Sequence, residues 1–330
     1  MFTSRSRAAG GLAAVSLILA ACSPSASADE APVTLTLGHT WSVTDANAQA
    51  VQDFADEVAE VSDGNLRIEI YPGGQLGEDI EILEGLGLET VDIWVGGSGV
   101  YSQMSPVGQF LVLPFLFDDL EEAMTHYDGE LGEAVERQVA ETSNTRLLSL
   151  WPRGPRHLTL NTEATTPEDI SGLRIRVPEN PMSLQTWAGF DASPTPMPFG
   201  DIMTALEQGA LEGQENPLET IHSAGLPTAQ SHLILTAHVI EPTALSIGDA
   251  AWARLDEEQR QILEEAASGT ARDELLAHVL EREEVLVDEL ADEGMTVIEP
   301  DRDAFAARVE DLPEMAGPEV AALYETRWAR

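Results

Sequence analysis

From Val33 to Gly38 apolar and polar residues alternate, a period of two that predicts a half-buried strand. Next, Thr44 or Asp45 can cap a helix whose apolar positions, Ala48, Val51, Phe54, Ala55 and Val58, recur at three- and four-residue spacing. Residues 66–70 read as a second strand, which Tyr71-Pro72-Gly73-Gly74 breaks. A helix is predicted over 78–86 and a third strand over 91–95. This βαβαβ rhythm predicts a mostly parallel sheet with helices on both faces. Ligands of such sheets sit beyond the carboxyl ends of the strands, here the loops 39–43 and 96–101.

A second unit of the same kind begins near Arg146. Its strand-like runs are 147–150, 157–160 and 173–177, with a helix over 181–188. Pro194, Pro196 and Pro198 stand at alternate positions, which predicts an extended turn over 192–198 rather than regular structure. A helix resumes over 201–207. From 256 to 292 the helical period is almost unbroken, longer than most globular helices. It is either a surface helix on one lobe or a brace along both.

The first residues read as an address rather than as fold. Arg5 and Arg7 form a positive start, residues 10–20 an apolar run, and Leu19-Ala20-Ala21-Cys22 has the form of a lipoprotein cleavage box. The expectation is a removable signal over 1–21, acylation of Cys22 and a flexible tether over 22–32. A chance cysteine in a plain secretory signal is the alternative. Cys22 is the only cysteine in the chain, so no internal disulfide is available.

The remaining length suggests two lobes rather than one core. Composition then narrows the partners. The chain has fifty-eight acids, seventeen basic residues that are all arginine, and a formal charge of −41. Such a surface repels nucleic acid and anionic lipid. A phosphate-binding P-loop or a Ser-Lys dyad needs lysine, and the histidines show no metal-ligand spacing. No cofactor and no metal are expected.

Against that background one strand stands out. Alternation puts Leu173, Ile175 and Val177 on one face and Arg174 and Arg176 on the other. Guanidiniums on a covered face require an anion, and their planar fork matches a carboxylate. The residues alone leave open whether that anion is a ligand or one of the chain's own acids. Arg146, Arg153, Arg156, Arg174 and Arg176 cluster within this region and offset the acidic field locally.

Six blocks carry a wider resemblance: LTLGHTW at 35–41, LRIEIYPGGQLGED at 66–79, TPEDISGLRIRVP at 166–178, PTPMPF at 194–199, TALEQGALEGQENP at 204–217 and LILTAHV at 233–239. In this order and spacing the chain resembles the solute-binding proteins of TRAP transporters, ATP-independent carriers of organic acids. The resemblance implies a two-lobed α/β fold of the periplasmic-binding-protein (Venus flytrap) type with a long helix bridging both lobes. Lobe I would comprise 33–153 and 242–281, and lobe II 154–241 and 282–330. It implies a monomeric receptor, not an enzyme, lipid-anchored outside the cytoplasmic membrane. That receptor would capture a small carboxylate and deliver it to a small and a large membrane subunit. A binding protein for an ABC importer or a sensor kinase, or an extracytoplasmic hydrolase, are the other readings.

The resemblance also assigns residues. Arg176 falls on the carboxylate-clamping arginine, Arg156 on a second arginine, and Asn216 on an asparagine that bonds the carboxylate. Asn216 also suits a helix N-cap before Pro217. Arg174, where relatives have lysine, reads as structural. Phe199 matches an apolar wall, with a core role as the alternative. Thr40 and Trp41 occupy the first loop, where Trp41 either stacks on ligand or packs. Gln75 and Asp79 are candidates for bonding hydroxyls, and Ser98 lies in the Gly96-Gly97-Ser98-Gly99 loop. Glycines there, where sialic-acid binders carry a glutamate, argue against a sialic-acid-like ligand. The acidic-aromatic pair of metal-dependent members is missing near QENP.

Overall fold

The structure, a computed structural model, describes residues 31–326; the expected signal, Cys22 and most of the tether lie outside the described residues. Eleven strands form two sheets. They are β1 (Val33–Gly38), β2 (Leu66–Tyr71), β3 (Ile93–Gly97), β4 (Thr145–Trp151), β5 (Arg156–Leu160), β6 (Arg174–Val177), β7 (Ser193–Pro196), β8 (Gly213–Pro217), β9 (His232–Val239), β10 (Thr243–Gly248) and β11 (Thr296–Ile298). The first sheet has the order β2-β1-β3-β10-β4, the second β11-β9-β5-β8-β6-β7. The mostly parallel expectation holds. Among the described residues each sheet has one strand running against its neighbours, β10 in the first and β5 in the second.

Those two strands are where the chain changes lobe. β4 passes to β5 through residues 152–155, and β9 passes to β10 through 240–242. Trp151 pairs with Thr243 in the first sheet and Arg156 with Val239 in the second. The two crossings therefore run side by side between the lobes.

The first helix, Ala46–Val61, starts where Asp45 accepts a hydrogen bond from the Asn47 backbone N–H at 2.9 Å. Asp45, not Thr44, is the cap. The five predicted apolar positions of this helix are all buried. Between 256 and 292 the long helical pattern is two helices, Glu257–Ala267 and Thr270–Asp292. Ser268 and Gly269 interrupt it; a Cβ on Gly269 would lie 2.8 Å from the Glu265 carbonyl oxygen. The longer helix packs on Ala46–Val61 and β4 of the first lobe, and on Leu218–Ser223 and β11 of the second. It is the brace that spans both lobes. Trp151 joins this layer to the first sheet by donating its indole N–H to the Ala267 carbonyl at 2.7 Å. No helix among the described residues is long and apolar enough to cross a membrane.

The proline segment corrects the sequence expectation. Residues 193–196 form β7, an edge strand parallel to β6, rather than an irregular turn. The Ser193 and Met197 N–H groups donate to Leu173 and Val177 carbonyls of the neighbouring strand. Pro194, Pro196 and Pro198 fall on the intervening positions, whose missing N–H groups would face away from the sheet. An edge strand tolerates proline on those terms.

β8 lies close against β5. A Cβ on Gly213 would stand 2.4 Å from the Thr159 carbonyl oxygen and 2.5 Å from Leu160 Cδ2. Gly213→Ala must push these strands apart, and overpacking of this kind costs about 1–3 kcal/mol. Urea unfolding of Gly213→Ala should show a loss in that range, whereas a change below about 0.5 kcal/mol would contradict the close approach.

Candidate functional site

One cavity lies where strands of both lobes end. The first lobe contributes Thr40 and Trp41 after β1, Asp79 at the start of helix Asp79–Gly87, and Gly97 and Val100 at and after the end of β3. The second contributes Arg176 and the Pro178-Glu179-Asn180 loop from β6, Asn216 from β8, and Phe199. Arg153 and Glu241 enter from the two crossings, and Arg156 from the start of β5. The cavity encloses about 480 Å³ of empty space, part of it open to solvent. The lobes meet across it: Gln103 Nε2 donates to the Glu179 carbonyl at 2.7 Å. Gly200 faces Glu78 so closely that a Cβ there would be 2.6 Å from Oε1.

The three cavity arginines differ in what they already hold. Arg156 is saturated. Its Nη2 donates to Glu215 Oε1 at 2.8 Å and its Nη1 to Glu241 Oε2 at 3.0 Å. Burial disfavours its charge, but these two carboxylates outweigh burial and raise its pKa. Burial likewise pushes Glu215 upward. The Arg156 charge, with His238 Nε2 at 3.1 Å, overcomes that and brings the carboxyl down to about 2. Arg156 and Glu215 thus form a fixed, internally neutralised pair beneath the cavity.

Arg176 is the reverse case. It is only 4 % exposed, yet no carboxylate lies at ion-pair distance from it among the described residues. Its Nε donates to the Met197 carbonyl at 2.9 Å, which fixes the plane of the guanidinium and leaves its Nη edge toward the cavity. Burial lowers its pKa to about 10, opposed by the more distant Glu215, Glu179 and Asp79. It is a cation at neutral pH, desolvated and unpaired. Arg174, two residues earlier, is exposed and forked on Glu212, with Nε to Oε2 at 3.0 Å. That matches its expected structural role.

Arg153 belongs to the predicted arginine cluster, but sequence reasoning did not single it out as a site residue. Its guanidinium lies 5.7 Å from the Trp41 ring centroid, and Nη2 donates to Thr220 Oγ1 at 3.2 Å. Burial first, and then Arg156, lower its pKa. The signal available in the sequence was its position in WPRGPR, between two strand-like runs.

Asn216 sits inside β8, so the N-cap alternative is corrected. The next helix, Leu218–Ser223, has Pro217 at its cap position and no side-chain cap bond. Asn216 Oδ1 instead accepts from Arg156 Nη2 at 3.2 Å, and Nδ2 donates to Gln214 Oε1 at 2.6 Å. Across the cavity, Asp79 Oδ2 accepts from Thr40 Oγ1 at 3.1 Å and Oδ1 from Trp94 Nε1 at 3.0 Å. Burial raises its pKa to about 6 despite these two bonds. Trp41 both lines the cavity and packs, buried against His39 and Arg153. Phe199 is half-buried, with one side on the cavity and another on the smaller apolar cluster.

Two expected site residues are not brought in. Gln75 follows the Pro72-Gly73-Gly74 turn, is exposed, and lines no part of the cavity. Ser98 is fully buried at the start of a 3₁₀ turn and does not line it either. Glu215, Glu241, Glu179 and Asn180 went unremarked in the sequence because acids and amides are unexceptional in so acidic a chain.

Comparison with known proteins agrees with this architecture. The model of the family "Bacterial extracellular solute-binding protein, family 7" (DctP) matches residues 37–316. A solute-binding protein of Roseobacter denitrificans is 35% identical over 301 residues, 91% of this chain and 91% of that protein. The crystal structure of a TRAP periplasmic solute-binding protein from Roseobacter denitrificans, with bound L-galactonate, has a TM-score of 0.86 at 32% identity, covering 91% of this chain and 99% of that one. Another from a Polaromonas species, bound to D-erythronate, gives 0.85 at 28% identity, covering 90% of this chain and 98% of that one. With two sheets, a bridging helix and an arginine-lined interlobe cavity beneath a match that runs almost end to end, this chain belongs to family 7 of the bacterial extracellular solute-binding proteins, the solute receptors of TRAP transporters, which bind their solutes rather than transform them.

Proposed function

We propose that the cavity captures a small organic acid by its carboxylate at Arg176, and that the closed, loaded protein is what the small and large TRAP membrane subunits receive. One observation carries the reading: a buried guanidinium with no carboxylate of its own, in a chain with fifty-eight acids to choose from. Burying a charge without a partner is costly, so the site is built for an incoming anion. Sugar acids bound by relatives, L-galactonate and D-erythronate, supply such a carboxylate.

The neighbours acquire roles from this. Arg156, locked by Glu215 and Glu241, holds Asn216 in place, and the second amide hydrogen of Asn216 is available to the ligand carboxylate. Trp41 and Phe199 wall the cavity, and Thr40 orients Asp79. The first lobe would close on the second about the paired crossings; the helix Pro318–Thr326, expected in lobe II, packs on Val107–Phe110 and Glu130–Thr142 of the first lobe and would move with it. A ligand drives closure only through contacts that are better in the closed state. Bonds to Arg176 from one lobe and to Asp79 from the other satisfy that condition.

Removing one partner of a buried charge pair costs about 2–5 kcal/mol, roughly thirty- to several-thousand-fold in affinity. A thermal-shift screen of organic acids should find a stabilising ligand, and calorimetry with that ligand should show Arg176→Ala losing binding by this factor. Arg176→Lys should fail nearly as badly, because a point charge replaces the fork. Unchanged affinity in Arg176→Lys would count decisively against the clamp.

Membrane anchoring through Cys22 rests on the Leu19-Ala20-Ala21-Cys22 box. In a Gram-negative host expressing the full chain, radiolabelled palmitate should enter the wild type and not Cys22→Ala, and the variant should appear in the soluble fraction. Equal labelling of both proteins would remove the anchor from the account.

A further inference from the structure

Closure over an empty cavity leaves Arg176 buried with no anion beside it, which disfavours the closed form until a solute arrives. Contacts between the lobes that do not involve the solute offset part of that cost. At the mouth of the cavity Gln103 reaches the Glu179 carbonyl and Gly200 faces Glu78. Gln103 is exposed, and a bond between neutral groups in water adds little. The contact formed by Asp45 is of another kind, because it is both buried and charged.

Asp45 stands at the head of the first-lobe helix Ala46–Val61 and is 1 % exposed. Its Oδ1 accepts from the Asn47 N–H and from Asn47 Nδ2, both at 2.9 Å, and so serves its own lobe. Its Oδ2 accepts from Ser223 Oγ at 3.0 Å and, more weakly, from Thr220 Oγ1 at 3.4 Å. Both hydroxyls belong to the second-lobe helix Leu218–Ser223, at a spacing of three that puts them on one face. That helix follows directly on β8, which carries Asn216 into the cavity. Thr220 also accepts from Arg153 Nη2 at 3.2 Å. A chain of bonds therefore runs from the cavity wall through the second-lobe helix to the first-lobe helix.

We propose that Asp45 and Ser223 are positioning residues for capture: their bond forms in the closed protein and parts in the open one, so it tightens every solute the cavity accepts and slows its release without touching it. The proposal rests on the reading of Arg176 as the carboxylate clamp, because the unpaired guanidinium is what makes the empty closed form the minor one. A bond made only in that minor form adds its full worth to affinity. Hydrogen bonds to a carboxylate out of water are stronger than those between neutral groups. On opening, water takes over at Asp45 Oδ2 and Ser223 Oγ, so the link does not lock the protein shut.

Ser223 lines no part of the cavity, so Ser223→Ala removes the link while the solute site and the Asp45 cap stay in place. The probes are the acids that the thermal-shift screen retains from a set including L-galactonate and D-erythronate. Calorimetry on the mature protein gives Kd, and stopped-flow tryptophan fluorescence gives the release rate. Ser223→Ala should bind each acid about tenfold more weakly, by the same factor for each, with the loss in the release rate. The empty variant should melt within about 2 °C of the empty wild type, since the open form lacks the link. Ser223→Thr, which keeps a hydroxyl, should restore binding. A Kd for Ser223→Ala within about threefold of the wild type overturns the proposal. So does a lower melting temperature of the empty variant with unchanged Kd, the mark of a merely structural bond. If no acid binds the wild type, the clamp falls and this inference with it. Affinity that is lost in Arg176→Lys but unchanged in Ser223→Ala upholds the clamp and sinks the link.

Discussion

The structure depends on one imbalance, the contrast between a guanidinium that the protein has neutralised and one that it has not. Arg156 and Arg176 are both buried and both line the same cavity. Arg156 shares two carboxylates and an asparagine, whereas Arg176 holds only a backbone carbonyl. A buried charge left unpaired is tolerated only where something else supplies the partner. In a molecule this acidic, an unpaired arginine is not for want of acids nearby. The surrounding geometry keeps them away from it.

That geometry comes from how the chain crosses between lobes. β5 and β10 each run against their sheets because each is the first strand after a crossing, and the crossings lie side by side. Glu241 on one crossing bonds Arg156 beside the other, and its second oxygen accepts the Gly99 backbone N–H at 2.9 Å. Glu241 therefore links the loop after β3 in the first lobe to the start of β5 in the second. Asp45 provides another link, accepting from Ser223 at 3.0 Å while capping the first helix. Breaking a buried ion pair by removing one partner costs about 3–5 kcal/mol. The Arg156 network is thus suited to fixing the cavity floor while Arg176 is left open to the solute.

Much of this was legible before the fold was known. The alternation of Val33–Gly38 and the helical spacing of Ala48, Val51, Phe54, Ala55 and Val58 each follow from a single element burying one face, and both appeared as read. Alternation put Arg174 and Arg176 on one strand face but left open whether their anion was a ligand or one of the chain's own acids, and the family resemblance singled out Arg176. What failed depended on neighbours. Three alternating prolines forbid a central strand but allow an edge strand, and only the sheet order shows that β7 is at the edge. Asn216 before Pro217 looks like a cap until pairing with β5 places it inside a strand. Arg153, Arg156 and Arg176 are chemically identical in sequence. Their different roles are set by where Glu215 and Glu241 end up, on strands and crossings far away in the chain. Gln75 and Ser98 came from motif position alone, and turn geometry took both away from the cavity.

The most direct test of the central claim compares a bound acid with its own neutral primary amide, in the wild type and in the uncharged variant Arg176→Gln. If a charge-assisted fork at Arg176 carries recognition, the amide should bind the wild type at least about a hundredfold more weakly than the acid, and that difference should largely vanish in the variant. An amide that binds the wild type within a few-fold of the acid would contradict the account, because the buried guanidinium would then be recognising something other than the carboxylate charge.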